Sequence, residues 1–119
     1  MIRSKKTFNN TDGTKVVPLD GGTGIANTVG IGGTYNTHQI SVNKGGNTSG
    51  TITYLCTPVG AATTEAVYES GSAIVVNLAT AGEPLTRTNI KGCITSFSFT
   101  QASLSGGGDV TYTISSWNE

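Results

Sequence analysis

The chain has 119 residues, with seven basic and seven acidic side chains, one histidine, two cysteines and 17 glycines. A chain of this length sets one domain and can bury roughly two-thirds of its unfolded surface in a single core. Only 12% of residues are charged, against about 25% in an ordinary domain, and the signs cancel, so no long-range field draws in nucleic acid or an anionic membrane.

The N-terminus, MIRSKKTFNN, has a basic start without an apolar stretch, so it is not expected to act as a secretory signal. Residues 1–13 lack alternation and carry Arg3, Lys5 and Lys6. They read as an extended arm ahead of a domain at 14–119, and Arg3, Lys5, Lys6 and Phe8 are its expected partner contacts. TKVVPL (14–19) predicts a short strand whose Pro18 suits an edge or a strand end. ANTVGIGG (26–33) predicts a weak strand cut by glycine, and HQISVN (38–43) one that places His38, Ile40 and Val42 on a single face. KGGNTSG (44–50) reads as a loop.

From residue 51 the period of two sharpens. TITYLCT (51–57) aligns Ile52, Tyr54 and Cys56. TEAVYE (64–69) follows a turn, and SGS (70–72) marks a tight hairpin into AIVVNLA (73–79). That strand turns Ile74, Val76 and Leu78 inward and Val75 outward. TAGEPLTRTNIKG (80–92) reads as a crossing between sheets. In CITSFSF (93–99), Cys93, Thr95, Phe97 and Phe99 share a face; TQASLSGGGD then reads as a loop in which Leu104 tucks back. Val110, Tyr112 and Ile114 form the last apolar stripe, and Trp117 packs at the rim. Sequential hairpins are expected from residue 51 onward. No helical period occurs. The fold class is therefore all-β: an antiparallel sandwich of jelly-roll-like or Ig-like type with seven or eight short strands.

Catalytic patterns are sparse. A Ser-His-Asp set would have to use His38 with Asp12, Asp20 or Asp109, and no nucleophile elbow surrounds any serine. Glu65 and Glu69, read on one strand, would stand about 13 Å apart, too far for either glycosidase geometry. No C-x-x-C, calcium loop or dinucleotide fingerprint is present, so no metal and no cofactor is expected. Cys56 and Cys93 read as buried free thiols, with a bridge between them as the alternative. Thr, Ser and Asn stand in for the missing charge. That surface desolvates cheaply against another protein, or it reflects the liking of strands for threonine; both readings stay open.

GTITYLCTPVGAATTEAVYESGSAIVVNL and IKGCITSFSFTQASLSGGGDVTYTISSW carry a further pattern. An alternating strand ends in Pro58-Val59-Gly60, a hairpin runs from Val67-Tyr68 to Gly71, a Phe-x-Phe-Thr strand follows, and TYTISSW closes the chain. Over residues 50–117 this resembles small virion structural proteins of tailed bacteriophages. The resemblance implies a β-sandwich that decorates or cements the outer capsid surface, often as a homo-trimer, with the major capsid protein or other virion proteins as partners. It implies a location in the virion, assembled in the host cytoplasm, in keeping with reduced Cys56 and Cys93. It implies no enzyme. The alternatives are a head–tail connector or tail-fibre component, and a carbohydrate-binding module using an exposed aromatic such as Tyr35, Tyr68 or Trp117.

Overall fold

The computed structural model describes residues 35–69, 71–108 and 110–118, together with the strand backbones at 5–7, 14–17 and 26–30. Among these residues there are strands and turns but no α-helix, and so no helix long and apolar enough to cross a membrane. The strands are β1 (Lys5–Thr7), β2 (Thr14–Val17), β3 (Ala26–Gly30), β4 (Thr37–Asn43), β5 (Ser49–Pro58), β6 (Glu65–Ala66), β7 (Tyr68–Glu69), β8 (Ser72–Ala73), β9 (Val75–Asn77), β10 (Thr86–Lys91), β11 (Ile94–Ser105) and β12 (Val110–Trp117).

The first sheet has the order β1-β12-β4-β10, with β2 also pairing β12; the second has β3-β11-β5-β6, with β9 also pairing β5. All the pairings are antiparallel. β1 and β2 lie end to end along β12, Thr7 opposite Ser115 and Thr14 opposite Thr113. The β6 and β9 strands lie end to end along β5 in the same manner. β7 and β8 make a separate hairpin.

The two large sheets share one core. Ile52, Tyr54 and Cys56 of β5, Phe97 and Phe99 of β11, Val110, Tyr112 and Ile114 of β12, and Ile40 and Val42 of β4 are all buried. The period of two is the cause: alternate side chains leave the same face, and here that face is apolar. Across the sheets the Phe99 and Tyr112 rings stack at 4.0 Å and 8°, and within the second sheet Tyr54 meets its register partner Phe99 edge-on at 5.3 Å. Each such contact adds about 0.5–1.5 kcal/mol beyond burial. The buried Tyr112 hydroxyl donates to Gln101 Oε1 at 2.7 Å, which lets a polar side chain sit inside.

Several expectations are corrected. Cys93 is exposed and Ile94 takes the inward place, because β11 is irregular between Ile94 and Ser96. Thr95 fixes that irregularity by donating its hydroxyl to the Thr57 carbonyl at 2.7 Å. β11 continues to Ser105 where a loop was expected, and Leu104 lies partly buried at its end, against the core. β11 and β12 do not form a hairpin; they belong to different sheets. The run 80–92 does cross between sheets, yet its second half is the strand β10. Tyr68 pairs with Ala73 and Glu69 with Ser72 in the expected hairpin, but the segments flanking it pair with β5 instead of with each other.

Candidate functional site

The outer strand of the second sheet is interrupted. Opposite β5, Glu65 faces Cys56 and Ala66 faces Leu55, and further along Val75 faces Thr53 and Val76 faces Ile52. Tyr54 lies between. Its carbonyl accepts from Val67 N–H at 3.2 Å, and its N–H donates to the Ile74 carbonyl at 3.2 Å. The whole run from Val67 to Ile74 thus fills one ladder position. Ile74 N–H closes the base by donating to the Val67 carbonyl at 2.8 Å. Val67 and Ile74 are buried, and the β7–β8 hairpin between them projects outward with Tyr68 64% exposed.

Arg87 ties the hairpin to the first sheet. Its guanidinium pairs with Glu69 of β7 and, at 3.2 Å, with Glu83. Its own strand, β10, loses register between Arg87 and Ile90, and Asn89 there has a left-handed backbone with φ 56°. Asparagine tolerates that conformation better than most side chains. The bulge lifts Thr88 and Asn89 out of the ladder.

Two hollows open between the hairpin and β10. One, about 290 Å³, is floored by Cys56, Val67, Ile90 and Ile94 and rimmed by Glu65 and Cys93. The other, about 340 Å³, is lined by Glu69, Thr88 and Asn89. Tyr68, Ile90 and Lys91 border both. Burial and the Glu65 carboxylate push the Cys56 thiol up, which keeps it protonated and unreactive.

The residues weighed from the sequence are scattered. Arg3 and Phe8, the side chains of Lys5 and Lys6, and Asp12, Asp20 and Asp109 lie outside the described residues. The backbone of Lys5–Thr7 pairs with Trp117, Ser116 and Ser115. Glu65 and Glu69 fall on separate short strands and both are exposed. Trp117 is 8% exposed, too buried to serve as a platform. Cys56 and Cys93 are free thiols. Among the described residues no three His, Cys, Asp or Glu side chains gather as a metal site.

His38 is wholly buried and both of its ring nitrogens are engaged. The Gly92 carbonyl, 2.8 Å from Nε2, can only accept, so Nε2 carries the proton. Nδ1 then accepts from the Ser116 hydroxyl at 2.8 Å. The ring also packs edge-on against Phe97 at 5.2 Å. Burial lowers its pKa, opposed by the Gly92 hydrogen bond. This serine–histidine contact resembles half of a nucleophilic pair, but no substrate can reach it, and its hydrogen bonds join β4, β12 and the turn before β11.

No protein-family model matches this chain, and no curated protein matches it. Among solved structures it is similar to the crystal structure of SPBc2 prophage-derived protein YomS, at 14% identity and a TM-score of 0.48, over 98% of this chain and 96% of that one.

Proposed function

We propose that this chain is a bacteriophage virion structural protein that decorates the outer capsid surface and stabilises the shell. The observation that carries the reading is the strand order. One sheet runs β2-β12-β4-β10 and the other β3-β11-β5-β9, so strands alternate between layers along the chain except at β5 and β9, which pair within one sheet. With two in-line outer strands and one inserted hairpin set aside, eight strand positions remain, four to a sheet, and this order supports a jelly-roll reading. Jelly rolls serve viral shells, and also lectins and cupins. The sequence resemblance over residues 50–117 selects the virion among these.

The mechanism is adhesion through a stiff body. The Phe99–Tyr112 stack holds the two layers together, and a surface poor in charge loses little hydration on docking. Burial of the only histidine, with both nitrogens occupied, removes it from general acid–base work and favours a non-enzymatic role. The partners are the major capsid protein and further copies of this chain, as a trimer. Arg3, Lys5, Lys6 and Phe8 supply arm contacts.

The test is binding of the purified chain to particles lacking it, with and without residues 1–10. Saturable binding across the shell, weakened by a deletion that leaves the cooperative unfolding of the domain intact, supports decoration. Binding at one vertex or along the tail favours a connector or fibre component, and no binding overturns the virion reading.

A further inference from the structure

Tyr68 stands 64% exposed between two hollows, and neither face of its ring is covered by another aromatic among the described residues. An exposed tyrosine ring presents an apolar face to one side and a hydroxyl at its tip, a surface suited to ligands with both characters. The adjoining hollow adds the Thr88 hydroxyl and the Asn89 amide. Neither these side chains nor the Tyr68 hydroxyl is hydrogen-bonded to another described residue. Their placement follows from the β10 bulge, and Asn89 holds a left-handed backbone to occupy it. Strain of this kind persists where surrounding structure enforces it, and bulges re-aim side chains beside binding sites.

The charges of this flank are balanced locally. Glu69 is paired with Arg87, and Glu65 and Lys91 border the same hollow with opposite signs. A free anion or cation therefore gains little here. What remains uncommitted is one aromatic ring, two hydroxyls and one amide, all neutral. The hollows, about 290 and 340 Å³, match the lower end of the roughly 300–1,000 Å³ range of small-ligand sites.

We propose that the Tyr68–Asn89 flank is a binding site for a neutral saccharide, with a pyranose ring stacked on Tyr68 and its hydroxyls bonded to Thr88 and Asn89. The apolar floor of Ile90 and Ile94 takes the C–H face of a neighbouring unit. The site uses none of the residues assigned to the N-terminal arm and is independent of the virion reading.

The experiment screens the full chain on an array of neutral oligosaccharides built from glucose, galactose, mannose and N-acetylglucosamine, then titrates the best one into isotope-labelled protein followed by NMR. The expected result is amide shifts centred on Tyr68, Thr88 and Asn89. Tyr68→Ala and Asn89→Gly should each weaken binding by about tenfold, as loss of one ring contact or one bidentate amide implies. Tyr68→Phe should retain most of it. Asn89→Gly relieves the left-handed strain, so lost binding there cannot be ascribed to unfolding. Absence of any neutral saccharide ligand, shifts centred elsewhere, or unchanged affinity in Tyr68→Ala overturns the proposal. So does a Tyr68→Ala variant that loses attachment to particles while the parent binds no saccharide, since the flank would then be a protein contact.

Discussion

Gly107 sits where a methyl group has no room. A Cβ at that position would lie 2.4 Å from Asn47 N and from Gly46 C, and 2.5 Å from Gly45 O. All three are backbone atoms and cannot swing aside. The close approach lets Gly108 N–H donate to the Gly45 carbonyl at 2.9 Å, and lets the buried Asn47 amide nitrogen donate to the Lys44 and Gly108 carbonyls at 2.7 Å each. The triple glycine is therefore a seam between two loops. Gly107→Ala should cost about 2–3 kcal/mol in urea unfolding, the scale of overpacking. Gly108→Ala, with nothing within 4 Å of its added Cβ, should stay within about 0.5 kcal/mol of the parent. His38 gives a second test at this scale. Its pKa in the folded chain lies below its ordinary 6.5, so the unfolded chain takes up the proton first. The stabilisation is fully present above about pH 6.5 and is lost as pH falls towards the folded-state value. The thermal midpoint should drop between about pH 7.5 and 5.5, and His38→Gln should flatten that slope even if its midpoint is lower throughout. An equal slope in the variant would remove His38 from the account.

At the scale of elements, the interrupted outer strand is the feature with the clearest consequence. If the run Val67 to Ile74 fills a single ladder position opposite Tyr54, joining Val67 directly to Val75 should give an uninterrupted strand. That deletion of residues 68–74 should fold, at a cost of about 2–3 kcal/mol for the lost burial of Ile74. It should also abolish any saccharide binding that depends on Tyr68. Failure to fold would mean that the hairpin supports the sheet edge instead of being inserted in it. The same elements show what sequence could convey. β5, β9 and the first half of β12 were legible because one face is buried and the other more exposed, which writes a period of two directly into the residues. β10 was not, since Ile90 is its only buried residue and the bulge breaks what little alternation remains. The end of β11 escaped notice because Gln101 is buried through a hydrogen bond to Tyr112, a contact from another sheet. Tyr68 was identifiable as an aromatic near a turn. Asn89 was not, because its exposure comes from a register shift that only the pairing with β4 defines.

For the whole molecule, the strand order joins distant parts of the chain: β2 pairs β12, β3 pairs β11, and β4 lies between β12 and β10. Such non-local pairing raises the contact order and predicts slow folding for a chain of this size. Alternation alone could not assign strands to sheets, and so left the jelly-roll and Ig-like arrangements open. The adhesive account needs the protein to be a regular component of a particle. Imaging of purified phage particles carrying a compactly labelled copy of this chain tests that most directly. The account predicts label at repeated, symmetry-related positions over the outer shell; particles that are complete and carry no label would contradict it.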